Sequence, residues 1–337
     1  MTVHFVEPPP ELRVGGLDAA IRSMESALRR AGVIVRNGAA STAQPGEVVH
    51  FHGLWRRDQS RLSARLRERG VAMIVSPHGM LEPWAWHHKW WKKWPYFQFI
   101  ERAHLARADA LLATAAGEAR RLREFLPRAR IATLPLGFTG DAVPDYDNAR
   151  AKLGWTRDET VLLFLSRLHV KKGLDLLLRA LAQIPCPAEL RLVIVGEGDA
   201  RYVSELRQLA KPLTARVEWI GPVWGDARWA YFQGADLFCL PSHSENFGLA
   251  VLEALQVGTP ALTTTTTPWA QAGSVGVLAT EPTVKSVAAA LTRFFGAAKA
   301  TPSDRAVIAE WAREEYSWDA LVAGYVALYS ELAESRR

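Results

Sequence analysis

A strand that passes into a helix through only a few polar residues is the repeating unit of parallel α/β sheets, and residues 236–260, DLFCLPSHSENFGLAVLEALQVGTP, carry that pattern. The run Asp236 to Leu240 is short, apolar and ended by Pro241. From Phe247 onward, Phe247, Val251, Leu252 and Leu255 recur at helical spacing until Gly258 and Pro260 stop the helix. Free amides of Asn246, Phe247 and Gly248, with Leu249 just beyond them, make a helix start at which the positive end of the dipole favours a phosphate. Two acids bracket that start, Glu245 in the loop and Glu253 about two turns into the helix. Carboxylates are poor neighbours for phosphate but good acceptors for sugar hydroxyls. The local chemistry therefore points to a phosphorylated sugar; the alternative is a capped amphipathic helix with two solvated glutamates.

The strand-to-helix pattern recurs along the chain. Val3 to Val6 leads to Gly15 and Gly16, which open a helix with Leu17, Ile21, Met24 and Leu28 on one face; glycine there lets the backbone approach a ligand closely, or merely makes a tight turn. In GEVVHFHGLW the alternation puts His50 and His52 on one face, read as a polar strand end lining a cleft; metal binding would need further ligands. Val71 to Val75 is a buried-type strand, and His78 sits just past its carboxyl end, where open α/β sheets bind ligands. Thr160 to Leu165 feeds the loop SRLHVKKG and a helix, so Arg167, Lys171 and Lys172 cluster at a strand end. Arginine offers a planar fork for diphosphate oxygens and lysine a point charge. After Leu190 to Val195, Gly196-Glu197-Gly198 lacks full dinucleotide-binding spacing and reads on its own as a turn.

Together these motifs resemble the retaining glycosyltransferases of the GT4 family, most specifically at 166–173 and 242–260, with Glu245 and Glu253 as the Glu-x7-Glu pair. The resemblance implies the GT-B fold, two Rossmann-like doubly wound domains facing across a cleft. It implies that Glu245 lies against the donor sugar and Glu253 against the nucleotide ribose, with the amides between them on the diphosphate. Arg167 and Lys172 would stabilise the leaving diphosphate, His78 would contact the sugar near the reacting carbon, and Gly15 and Gly16 would face the diphosphate from the other domain. Loops including Gly196 would hold the nucleobase. The implied reaction is metal-independent transfer of a hexosyl group from a UDP- or GDP-linked sugar to a glycan or lipid-linked acceptor, as in bacterial polysaccharide biosynthesis, with no cofactor. An epimerase or inverting transferase of the same architecture, and a non-catalytic nucleotide-sugar binder, are the alternatives. The segment Leu-Pro-Leu-Gly at 134–137 departs from the Asn-Gly turn of many members.

Length and composition fit this frame. A chain of 337 residues favours two domains. The glycine- and proline-rich segment near residue 140 divides 1–140, the acceptor-side domain, from 141–317, the donor-binding domain, and the resemblance sends the helix 318–337 back onto the first. No apolar run approaches the roughly 20 residues of a membrane span, and residues 1–10 lack a basic segment followed by an apolar one, so a cytoplasmic protein is expected. Cys186 and Cys239 are spaced for neither zinc nor a redox pair. Lys plus Arg exceed Asp plus Glu, 41 against 35, a modest excess that suits anionic partners. Residues 84–99 interleave eight aromatic side chains, among them Trp84, Trp90, Trp91 and Trp94, with Lys89, Lys92 and Lys93. Core packing is one reading; a carbohydrate acceptor or peripheral contact with the inner membrane face is the other. No nucleic-acid motif accompanies the charge.

Overall fold

The structure is a computed structural model that describes residues 1–8, 15–87, 90–139, 145–271 and 274–336. The chain divides into two compact units, Met1–Thr139 with Tyr316–Arg337, and Gly140–Glu315. Each is a Rossmann-like parallel sheet covered by helices. The boundary expected at 140/141 falls outside the described residues.

In the first unit the strands are β1 Thr2–Val6, β2 Ile34–Asn37, β3 Val48–His52, β4 Ala72–Ser76, β5 Ala110–Ala113 and β6 Ile131–Thr133, in the order β2-β1-β3-β4-β5-β6. Val3 lies between Val35 and Val48, and Phe51 against Val75, so apolar positions meet in register. Strands β3 and β4 are buried at every position, as expected of parallel strands covered on both faces. The helix Gly15–Arg30 buries Ile21, Met24 and Leu28. The helix Trp318–Glu334 also belongs here: Trp318 Nε1 donates to Ser23 Oγ (2.6 Å), and Tyr325 Oη to the carbonyl of Pro135 (3.0 Å).

Residues 84–99 divide between core and surface. Trp86 and Phe97 pack on the core, whereas Trp84, Trp90, Trp91, Trp94 and Phe99 are exposed. Lys92 lies 4.8 Å from the Trp91 ring centre; Lys89 lies outside the described residues. A π-turn, Phe97–Glu101, interrupts the helical run, and its buried Glu101 accepts the amide hydrogen of Trp55 at 3.0 Å. Among the described residues no helix is long and apolar enough to cross a membrane.

The second unit comprises β7 Thr160–Leu165, β8 Leu190–Val195, β9 Arg216–Gly221, β10 Leu237–Cys239, β11 Ala261–Thr264 and β12 Val277–Thr280, ordered β12-β11-β10-β7-β8-β9. Strand β12 is a short, half-exposed edge strand, Val-Leu-Ala-Thr, without a counterpart in the sequence analysis. Strand β11 stops at Thr264, because Thr266 and Thr267 turn back: Thr266 Oγ1 donates to the Ser242 carbonyl (3.0 Å) and Thr267 Oγ1 to that of Thr264 (2.8 Å).

One charged cluster pins this unit together. The Asp236 carboxylate, almost fully buried, accepts from Tyr146 Oη (2.7 Å), Arg150 Nη1 (3.2 Å) and the Val161 amide (2.8 Å), tying β10 to β7 and to the helix Tyr146–Leu153. Arg150 also donates to the carbonyls of Gly234 (3.0 Å) and Glu159 (2.7 Å). Removing the carboxylate strands a buried guanidinium. Asp236→Ala is expected to destabilise the second unit by about 3–5 kcal/mol, measured by urea denaturation with a probe in that unit; an unchanged midpoint would contradict this account of the cluster.

Candidate active site

In the second sheet the chain order reverses between β7 and β10, so the loops leaving their carboxyl ends run to opposite sides and open a crevice. The loop after β7 spans 166–173 and the loop after β10 spans 240–248. Their backbones touch. Gly173 has φ +70°, and a Cβ there would overlap the Pro241 carbonyl; Gly196 has φ +140°, and a Cβ there would overlap that of Ser166. Only glycine permits either contact. The amide of His243 donates to the Lys171 carbonyl at 2.8 Å, which fixes one loop on the other.

This contact brings two of the residues singled out above into direct partnership. Lys172 Nζ lies 2.6 Å from Glu245 Oε1, and Ser242 Oγ donates to the same oxygen at 2.8 Å. The other carboxylate oxygen, Oε2, has no partner among the described residues. Burial works to raise the Glu245 pKa, but the charges of Lys172 and Lys171 and the two hydrogen bonds outweigh it, so the carboxyl sits below its ordinary value and is ionised. Arg167, on the same loop, is exposed and makes no ion pair among the described residues. Among the described residues the crevice therefore presents an exposed arginine without an ion pair, a lysine held by an acid with Lys171 nearby, and a carboxylate oxygen without a hydrogen-bond partner.

The helix beside them differs from expectation at its start. It runs Leu249–Gln256 rather than from Phe247, because Phe247 is buried with its carbonyl accepting from Trp269 Nε1 (2.5 Å) and Gly248 caps the helix in a left-handed conformation, φ +79°. Asn246 and Phe247 are thus loop residues. Glu253, a little over one turn in, pairs with Arg228 Nε at 3.2 Å; burial raises its pKa and Arg228 opposes the rise. Sequence reasoning missed Arg228, which precedes Trp229 in a short helix, Ala227–Gly234, with no feature marking it as a partner. Gly196 ends β8 and contributes close packing.

In the first unit the order reverses between β1 and β3. Gly15 and Gly16 start the helix that follows β1; the residues before Gly15 lie outside the described set. His78 follows β4 with φ +51°, and its turn is held by Glu118: one carboxylate oxygen accepts the Gly79 amide (2.6 Å), the other the Thr114 amide (2.8 Å) and hydroxyl (3.0 Å). Glu118, in the first turn of the helix Ala116–Phe125, was another residue not singled out from sequence. His78 Nε2 lies 3.1 Å from His52 Nδ1, with the rings stacked at 5.3 Å. His50 reaches Tyr329 Oη (2.8 Å) and Ser76 Oγ (2.6 Å).

His50 and His52 were expected to line a cleft; both are fully buried, because β3 is central and covered on both faces. Burial lowers all three histidine pKa values, that of His78 to about 4. Among the described residues no group of three His, Cys, Asp or Glu side chains is arranged to hold a metal ion.

Comparison with known proteins identifies the family of the chain. The family description "Glycosyl transferases group 1" matches residues 145–310, and "Glycosyl transferase 4-like domain" matches residues 2–137. The chain belongs to the GT4 glycosyltransferases. A D-inositol 3-phosphate glycosyltransferase of Geodermatophilus obscurus is 31% identical to this GT4 chain over 255 residues, covering 69% of it and 55% of the relative. A D-inositol 3-phosphate glycosyltransferase 1 of Catenulispora acidiphila is 32% identical over 274 residues, 75% and 61% respectively. The chain spans about half the length of the curated relatives it matches. Among solved structures of the GT-B fold, sucrose-phosphate synthase of Thermosynechococcus elongatus superposes with a TM-score of 0.81 over 99% of both chains at 19% identity. HepE of Anabaena in complex with UDP gives 0.77 over 98% and 100% at 17% identity.

The histidine trio makes a prediction about acid. The unfolded chain takes up a proton at His78 near 6.5, whereas the folded GT4 protein resists until about 4, so stability falls as pH drops through that window. Ring-nitrogen NMR should show His50, His52 and His78 neutral at pH 5.5, and His78→Gln should flatten the stability slope between pH 4 and 6.5. A His78 ring titrating near 6.5 would refute the assigned burial.

Proposed function

We propose that this protein transfers a hexosyl group from a UDP- or GDP-linked sugar to a hydroxyl of a glycan or lipid-linked acceptor, with retention at the anomeric carbon. The observation that carries the reading is the Arg167, Lys172 and Glu245 constellation at the switch point of the second sheet. As the bond to the anomeric carbon breaks, negative charge appears on the leaving diphosphate; Arg167 and Lys172 are preorganised to stabilise it, a task that otherwise falls to a divalent ion. On that ground we take the reaction to be metal-independent and without a cofactor. The open Oε2 of Glu245 accepts a hydroxyl of the donor sugar, and Glu253 takes the ribose. Amides of Asn246 to Leu249 and the backbone at Gly15 and Gly16 receive diphosphate oxygens, and the loop at Gly196 lies toward the base. His78 faces the sugar. The leaving phosphate assists removal of the acceptor proton on the same face.

The structures of HepE with UDP and with UDP-glucose support a nucleotide-sugar donor. A role in bacterial polysaccharide or glycoconjugate assembly follows from the acceptor class. The exposed Trp84, Trp90, Trp91 and Trp94 beside Lys92 and Lys93 support a peripheral contact with the inner membrane face, since indole rings settle at the headgroup level.

A thermal-shift panel of nucleotide sugars identifies the donor, because a ligand stabilises the folded state it binds. With that donor, Lys172→Ala and Arg167→Ala are each expected to lower kcat by about 10²-fold or more. Near-native turnover in both variants, or donor binding without any transfer or hydrolysis by the wild type, would overturn the reading.

A further inference from the structure

The helix Arg57–Glu68 and the helical run ending at Arg107 leave between them a hollow of about 420 Å³, lined among others by Arg57, Arg61, Arg107, Ser60, Phe99 and Ile100. None of its three guanidinium groups has an ion-pair or hydrogen-bond partner among the described residues, and Arg107 Nη1 is buried without one. Arg57 and Arg61 stand four residues apart on one helix, where like charges repel. Of the acids nearby, Asp58 is engaged by Arg56, Asp109 by Arg67 and Arg336, and Glu101 through Oε2 by the Trp55 amide. Such convergence is unfavourable until an anion arrives.

A second, independent feature sits in the same hollow. The π-turn Phe97–Glu101 adds a residue to the helical run while Phe97 stays in the core and Glu101 holds the Trp55 amide; Phe99 is 80% exposed as a result. Turns of this kind occur mostly as local insertions within α-helices, frequently at functional sites. An exposed phenyl ring and unpaired cations are both relieved by one ligand class, an anion joined to hydrocarbon.

We propose that this hollow binds the headgroup phosphate of an acidic phospholipid, with Arg57, Arg61 and Arg107 on the phosphate oxygens and the first carbons of the lipid against Phe99 and Ile100. The planar fork of arginine suits phosphate oxygens in pairs. The proposal rests on the peripheral membrane reading above and adds a specific anchor to it. The tryptophans supply apolar contact with any bilayer, whereas this site selects anionic lipid.

The test combines vesicle flotation with binding of a monomeric short-chain lipid. Wild-type protein is expected to float with phosphatidylcholine vesicles containing phosphatidylglycerol and much less with phosphatidylcholine alone. Calorimetry should show that it binds dihexanoyl phosphatidylglycerol below its micelle concentration. The double variant Arg57→Gln with Arg61→Gln, both at exposed positions, should lose short-chain lipid binding and at least about tenfold in affinity for anionic vesicles, with its circular dichroism and melting unchanged. Phe99→Ser should weaken the short-chain lipid while leaving inorganic phosphate unaffected.

If the double variant matches wild type on vesicles and short-chain lipid, the site is wrong while the membrane reading stands. If wild type binds the short-chain lipid but no vesicle, the membrane reading fails and the site stands. Inorganic phosphate competing as tightly as the lipid, or an acidic peptide displacing it, overturns the lipid assignment.

Discussion

The chemistry of the second unit depends on backbone meeting backbone at Gly173 and Gly196. A side chain at either position would push the loop after β7 away from the loops after β10 and β8, and the Lys172 ammonium would no longer reach the Glu245 carboxylate. The ion pair is thus a product of close packing, and its charge state follows. Glu245, ringed by two lysines, stays ionised in a half-buried site, whereas Glu253, with Arg228 beside it, is pushed the other way by burial. Two carboxyl groups eight positions apart in sequence acquire different electrostatic characters from their surroundings alone.

The same logic explains why the hydrophobic layers hold so many charged groups. Asp236 is the first residue of the strand-to-helix stretch, and its carboxylate gathers the Tyr146 hydroxyl, the Arg150 guanidinium and a strand amide below the crevice. Glu118 plays the equivalent part in the first unit by accepting the amide after His78. Asp236 fixes the base of the element whose far end carries the candidate chemistry, whereas Glu118 fixes the turn of His78 itself. A buried acid so satisfied specifies geometry more than it adds stability.

The alternation of apolar runs with glycine-punctuated helices made the two parallel sheets legible, since that periodicity is a local property. Arg167, Lys172 and Glu245 were legible as types at strand ends. Their pairing was not, because residues 172 and 245 are separated by three strands and meet only through the sheet order. The same holds for Arg228 with Glu253 and for the bond of Glu118 to the Gly79 amide, where the partner is distant in sequence. Strand β12 escaped because its apolar run, Val277 to Ala279, is only three residues long and lies at a half-exposed sheet edge. His50 and His52 misled for the opposite reason: polar residues in a strand read as an exposed rim, yet both rings are buried inside the unit, His50 between Tyr329 and Ser76 and His52 with Nδ1 against His78.

The bond between His50 and Tyr329 has a temporal meaning. Tyr329 lies on the helix Trp318–Glu334, so the buried imidazole of the third strand waits for a hydroxyl encoded after the whole of the second unit. During synthesis the second unit can close as soon as residue 315 has emerged, while the first still lacks Trp318 and Tyr325 on its surface. Domains generally fold in the order they are made; here the first half of the polypeptide is the last to be finished, and a ribosome stalled short of the final helix would hold a complete second unit beside an incomplete first one.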